Sequence, residues 1–329
     1  MRTPAATCHP LGRTRREASR SSRRKLALSI SCRTVWQRLP DGASISHPST
    51  HPNISTLFTE LPFEHRVGAA AEAGFDEVEV WWPFDRPDPG DRAVDTFVTR
   101  CREEGVGLAA LNLDGGDLTA GERGLVSLPG EESRFRANLP VAVELAERLG
   151  CRVLHALYGN RVLGVDPAAQ DEIATERLTL AARAAERIGA RVVVESLNPT
   201  DNPHYPLRTA TDVCTVLDRV AAATGARLAW LCDLYHVQRG EGDLITTIRR
   251  HADRIGHVQV ADAPGRGEPG TGEIAFERVL PELTRAGYEG RIGLEYRPST
   301  TTEEGLAWLR QRGLAPAVSG VPHDEQEEP

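Results

Sequence analysis

The 329-residue sequence contains no uninterrupted apolar stretch near the ~18–20 residues that a membrane span needs, and its mean hydropathy is −0.36. A transmembrane chain is therefore not expected. It also lacks a cysteine framework. Its six cysteines, at 8, 32, 101, 151, 214 and 232, stand apart with no C-x-x-C pair, in a chain long enough to bury its own core. That argues against a disulfide-stapled secreted scaffold and makes a reducing cytoplasm the expected compartment. A glycine-rich fingerprint is missing as well. The segment TELPFEHR, which follows the first expected strand, has no glycine, against the pattern of a doubly wound dinucleotide-binding sheet.

Charge is present but unevenly spread. Residues 1–48 carry ten basic side chains against Glu17 and Asp41, a net +8, so the overall −8 leaves −16 for residues 49–329. An acidic body repels phosphate backbones, which excludes nucleic-acid binding through a broad basic face. The stretch RTRREASRSSRRK, from Arg13 to Lys25, has no apolar periodicity, and residues 1–48 are expected to be a disordered basic extension. Arg15 and Arg16 form a twin-arginine pair, but the apolar run behind them, Leu26 to Ile30, is too short for an export signal. Met1 is the only methionine, so a translation start beyond this extension would use a codon that does not ordinarily encode methionine. Residues 317–329 are expected to be an acidic disordered tail.

Between these ends, residues 49–316 alternate short β-branched or apolar runs with helical stretches. Eight strands are expected: Asn53–Phe58, Glu77–Trp82, Val106–Leu113, Arg152–Tyr158, Arg191–Leu197, Arg227–Leu234, Ile255–Ala261 and Arg291–Tyr296. Among the intervening helices, Asp171–Ile188 places Ala174, Leu178, Ala181, Ala185 and Ile188 on one face. Glycines at 74, 105, 150, 189, 225 and 287 stand shortly before strands, where a helix ends in a left-handed residue. Eight units close a barrel, so the expected fold is an α/β single-domain (β/α)8 TIM barrel. Its active site would lie at the C-terminal ends of the strands.

Four oxygen-donor side chains fall there: Glu195 on the fifth strand, Asp233 on the sixth, Gln259 on the seventh and Glu295 on the eighth. Any one of them alone is explained by a hydrogen bond at a strand end. Four on consecutive strands form a hard-donor set suited to Mg²⁺ or Mn²⁺ and poorly suited to zinc. His236, three residues after Asp233, is placed to hold a substrate oxygen, and Arg266, in the loop PGRGEPG, to fix a substrate carboxylate or hydroxyl. Two carboxylates, Glu195 and Glu295, flanking an α-hydroxycarbonyl would take a proton from one carbon and return one to its neighbour. That is isomerase or epimerase chemistry, with no organic cofactor.

The segments LFTELPFEHRVGAAAEAGFDEVEVWWPFD (57–85), NLDGGDLTAGERGLVSLPGEE (112–132), VESLNP with PHY at 203–205, CDLYHVQRGEGDL (232–244), HVQVADAPGRGEPGTGEI (257–274) and GYEGRIGLEYRP (287–298) together resemble the hydroxypyruvate isomerase family of xylose-isomerase-like barrels. The resemblance covers residues 53 to 312. It implies proton transfer by Glu195 and Glu295, a divalent metal on Glu195, Asp233, Gln259 and Glu295, and substrate contacts from His236 and Arg266. It also turns His155 and Glu79 toward the barrel mouth as further substrate-binding candidates. Related ketose 3-epimerases usually carry histidine at the third metal position, so Gln259 favours the isomerase branch.

The implied reaction interconverts hydroxypyruvate and 2-hydroxy-3-oxopropanoate through an enediolate. A 2-oxo-tetronate isomerase or a ketose 3-epimerase is the alternative on the same barrel. More distant rivals are a metal-dependent endonuclease, disfavoured by the acidic body, and a non-catalytic sugar-acid-binding barrel, disfavoured by the intact rim. The expected partner is a small 2-oxo acid or sugar, with neither nucleic acid nor membrane, and a homo-oligomer is compatible with the sequence. Trp81 and Trp82 depart from the smaller residues expected there, which bears on pocket size. The glycine-rich loop at 112–132 is expected to act as a mobile lid.

Overall fold

A computed structural model describes residues 49–312 and 314, and the readings made above for residues 1–48 and 317–329 lie outside the described residues. Eight strands are present: β1 Thr50–Pro52, β2 Glu77–Val80, β3 Gly107–Asn112, β4 Val153–His155, β5 Arg191–Glu195, β6 Leu228–Asp233, β7 Ile255–Val260 and β8 Ile292–Leu294. The helices are α1 Phe63–Glu72, α2 Asp91–Glu103, α3 Glu132–Arg148, α4 Pro167–Glu186, α5 Ala210–Thr224, α6 Leu234–Gly240, α7 Leu244–His251, α8 Phe276–Arg285, α9 Thr302–Gly305 and α10 Ala307–Gln311.

All seven ladder pairings are parallel, in the order β1-β8-β7-β6-β5-β4-β3-β2. The ring is completed by a parallel bridge between Asn53 and Glu79, where the Ile54 amide donates to the Glu79 carbonyl at 2.9 Å. This is the expected TIM barrel. Among the described residues no helix is long and apolar enough to cross a membrane.

Local chemistry accounts for the helix bounds. Asp166 caps α4 by accepting from the Ala168 amide at 3.0 Å, and Pro167 takes the first helical position, where its missing N–H costs nothing. The helix thus begins four residues before the expected Asp171, and buries Ala174, Leu178, Ala181 and Ala185 as the periodicity predicts. A capping box opens α5, with Thr209 Oγ1 accepting from the Asp212 amide at 3.1 Å and Asp212 Oδ2 accepting from the Thr209 amide at 2.9 Å. The six glycines expected to end helices all have positive φ, between 67° and 92°.

The first strand is a correction. It runs over Thr50–Pro52 rather than Asn53–Phe58, which forms a turn instead. The Thr56 and Leu57 amides both donate to the Asn53 carbonyl, at 3.1 and 2.9 Å. Ile54, Leu57 and Phe58 are buried at a spacing of three and one, closer to a helical turn than to the alternation of a strand. The residues that do pair with β8 are polar or proline, so the true strand carries no apolar signal.

Candidate active site

The strand ends bring Glu195, Asp233, Gln259 and Glu295 to the mouth of the barrel, and all four are buried, none more than 6% exposed. Asp233 lies opposite Gln259 in the β6–β7 register, and Gln259 lies opposite Gly293 in β8. Above them opens a cavity of about 610 Å³, lined by Glu195, Glu295, His155, His236 and Arg266 together with Trp81, Asn112, Arg123 and Tyr235. Five of the eight sequence-predicted residues thus face it directly. Asp233 and Gln259 sit behind that surface, bonded to residues that form it.

Glu195 stands 3.4 Å from His155 Nε2 and 3.9 Å from His236 Nε2, and His236 Nε2 is 3.8 Å from Asp233 Oδ2. Burial, followed by the charges of Asp233 and Glu295, pushes Glu195 well above the ordinary carboxylate range. Burial likewise pushes Glu295 up to about 8, although Arg266 pulls the other way. His155 is driven down to about 3 by burial and is therefore neutral, with neither ring nitrogen hydrogen-bonded.

His236 is also held neutral, first by burial and then by Arg266 and Arg123. Its Nδ1 accepts from the Asn198 backbone N–H at 3.1 Å. That bond fixes the tautomer, leaving the proton on Nε2, which faces Glu195 and Asp233.

Arg266 donates from Nη2 to Glu295 Oε1 at 2.7 Å and lies 3.5 Å from Asp233 Oδ2, with its guanidinium 5.3 Å from the centre of the Tyr235 ring. It occupies a left-handed backbone conformation, φ 57°, uncommon for a residue with a side chain. In this arrangement its charge is engaged by the site's own carboxylates.

Glu79 lies away from the cavity lining, fully buried inside the barrel. Its Oε2 accepts from His51 Nε2 at 3.1 Å and His257 Nε2 at 2.8 Å, and its Oε1 from Asn53 Nδ2 at 3.1 Å and from Gln259 Nε2. Burial alone would raise Glu79, but His257 and His51 more than offset it and hold it well below the usual range. Asn53 also donates to Glu295 Oε2 at 2.9 Å, so the inner cluster reaches the mouth.

Sequence reasoning passed over His51, Asn53 and His257. His257 had a signal, since it precedes Gln259 by two on β7 and shares its face. Gly293 provides the space for this cluster, because a Cβ there would collide with the Glu79 carboxylate and press on Gln259.

The donor set fits a divalent cation on an observation internal to the site. Gln259 spends Nε2 on Glu79 and Glu295, which leaves its Oε1 as a buried oxygen with no partner. Two clusters of potential ligand atoms occur among the described residues, Glu195 with Asp233 and His236, and His51 with Glu79 and His257. Both are wholly buried.

The expected lid is largely anchored. The Ser127 amide donates to the Tyr158 carbonyl at 2.7 Å, Arg177 reaches the carbonyls of Leu125 and Leu128, and Arg134 pairs with Asp114 at 2.7 Å. Gly124 lies against the Leu157 carbonyl where no Cβ would fit. The turn around Asp117–Gly121 and the end of the segment at Pro129–Gly130 are exposed. Of the tryptophan pair, Trp81 lines the cavity, whereas Trp82 packs on Phe84 and donates to the Arg86 carbonyl at 2.8 Å.

Fold and site together define a (β/α)8-barrel enzyme whose mouth gathers carboxylates, an amide and neutral imidazoles. The family pattern described as xylose isomerase-like TIM barrel matches residues 67–312. The chain belongs to that family and to its hydroxypyruvate isomerase group. A Streptomyces coelicolor protein, provisionally named a hydroxypyruvate isomerase, is 51% identical over 261 residues, covering 78% of this chain and 94% of its own. The Escherichia coli hydroxypyruvate isomerase is 34% identical, over 78% of this chain and 96% of its own. A Cupriavidus necator 2-oxo-tetronate isomerase is 36% identical, over 80% and 98%.

Proposed function

We propose that the protein is a hydroxypyruvate isomerase, interconverting hydroxypyruvate and 2-hydroxy-3-oxopropanoate by proton transfer through an enediolate. The observation that carries this reading is the placement of Glu195, at the end of β5, and Glu295, just after β8, on one cavity. Both are raised above the ordinary carboxylate range, which suits groups that must hold and release a proton near neutral pH.

In hydroxypyruvate one glutamate removes a proton from C3, the C2–C3 enediolate forms, the other glutamate delivers a proton to C2, and the O3 hydroxyl proton passes to O2 as the aldehyde forms. His236, neutral with its proton on Nε2, donates to the substrate oxygen on which negative charge develops. Arg266 and Gln259 hold the Glu295 carboxylate in place through its two oxygens.

A divalent cation, Mg²⁺ or Mn²⁺, would be held by Glu195, Asp233, Gln259 and Glu295, and when bound supplies electrophilic stabilisation of the enediolate oxygens. No organic cofactor enters this reading. We place the reaction in the cytoplasm, on the basis of dispersed cysteines, of which Cys101, Cys151 and Cys232 are buried free thiols.

A second reading, 2-oxo-tetronate isomerisation, is favoured by one observation: the Cupriavidus necator 2-oxo-tetronate isomerase is as similar to this chain as the Escherichia coli hydroxypyruvate isomerase is. Proton NMR with hydroxypyruvate and with 2-oxo-tetronate as substrates separates the two, because it follows both the aldehyde formed from the first and the 3-oxo acid formed from the second. A higher kcat/KM for hydroxypyruvate supports the first reading, and the reverse order supports the second.

A further inference from the structure

Arg123, in the loop between β3 and α3, is held in the cavity wall by contacts that use only part of its guanidinium. Nε donates to Asn202 Oδ1 at 2.6 Å, and Nη1 donates to the carbonyls of Leu118, at 2.9 Å, and Glu122, at 2.6 Å. Its own carbonyl accepts from the Gly159 amide at 2.9 Å, so the backbone is fixed as well. These contacts satisfy the Nε proton and both Nη1 protons. Nη2, with two N–H donors, has no partner among the described residues.

Its charge has no close partner either, although Asp201 and Glu195 lie near enough to favour the charged form. Arg123 is partly buried, and among the described residues it forms no ion pair, whereas Arg266 is paired with Glu295 and Asp233. Burial and the nearby Arg266 both disfavour the charged form of Arg123, a cost that a bound anion would relieve. Arg266 is already engaged by Glu295 and Asp233, so the partnerless donors of Arg123 draw an anion toward the loop side of the cavity.

We propose that Arg123 is the specificity-determining residue that binds the carboxylate of a 2-oxo acid through Nη2, turning the adjacent carbons toward Glu195 and Glu295. This moves the anion-binding role from Arg266 to a residue of the glycine-rich loop. The identity of the turned-over substrate rests on the isomerase reading. The anion subsite rests on geometry alone.

The test uses the full-length protein with Arg123→Gln and Arg123→Lys. NMR titration measures binding of pyruvate, an anion that cannot complete the isomerisation, and of dihydroxyacetone, a neutral counterpart of hydroxypyruvate. Arg123→Gln is expected to weaken pyruvate binding and raise KM for hydroxypyruvate by about tenfold or more, the worth of a charge-assisted hydrogen bond. Dihydroxyacetone binding stays unchanged, kcat changes far less than KM, and Arg123→Lys recovers part of the anion affinity.

Unchanged pyruvate affinity in Arg123→Gln overturns the proposal. So does an equal loss for dihydroxyacetone, which would mark Arg123 as a brace for the loop. If the wild type leaves hydroxypyruvate unconverted while Arg123→Gln selectively loses pyruvate, the isomerase reading falls and the anion subsite stands.

Discussion

Gln259 donates its side-chain amide to Glu295 Oε2 at 2.5 Å, and the same nitrogen meets Glu79 Oε1, so one neutral residue separates two buried carboxylates. Glutamate at this position would replace a donor with a third acid between them. Gln259→Glu is expected to destabilise the fold by about 3 kcal/mol or more, the order of an uncompensated buried charge. Urea unfolding at neutral pH measures this, and an unchanged midpoint would mean that the amide is not what holds the carboxylates together.

Gly293 is the companion to that arrangement. Gly293→Ala places a Cβ against Glu79 and Gln259 in a well-packed interior, and a loss of about 1–3 kcal/mol is expected from overpacking. A thermal melt decides it. Stability equal to the wild type would show that the inner cluster has room to shift.

Cation binding has its own readout. Mg²⁺ or Mn²⁺ at a hundred times its dissociation constant should stabilise the native state by about 2.7 kcal/mol. Asp233→Asn and Gln259→Leu should diminish the rise in Tm, because Asp233 is buried beside Glu195 and Gln259 Oε1 is otherwise unpartnered. A shift that survives both substitutions would place the cation elsewhere.

His236 is the donor whose tautomer the backbone sets. His236→Leu removes the Nε2 proton and should lower kcat by about 10²-fold, as loss of a donor aimed at developing charge does. Steady-state kinetics with hydroxypyruvate test this. A variant with kcat close to wild type would remove His236 from the chemistry.

Much of the site was legible because it sits where barrel strands end. Glu195, Asp233 and Gln259 close or nearly close runs of β-branched and apolar residues, and such runs announce both the strand and its last inward residue. Depth was not legible. The family resemblance turns Glu79 toward the barrel mouth, but only the packing shows that it lies below the cavity among His51, His257 and Asn53. β1 carried no apolar signal, so His51 fell outside the expected first strand, and Asn53, which opened that expected strand, was not singled out as a site residue. Arg123 stood out in neither pattern nor motif, since a loop residue is directed by its anchors, here Asn202 and two carbonyls, rather than by periodicity.

The central claim is that Glu195 and Glu295 divide one proton transfer between them. Proton NMR of hydroxypyruvate in D₂O, with wild type, Glu195→Gln and Glu295→Gln, tests it most directly. The wild type should form 2-hydroxy-3-oxopropanoate carrying deuterium at C2. Both variants should lose product formation by at least about 10²-fold, the lower range for acid–base catalysis. The variant that retains the C3 base should still exchange the C3 protons with solvent, and the other should not. Product formation near the wild-type rate in either variant, or hydroxypyruvate left unchanged by the wild type, would contradict the account.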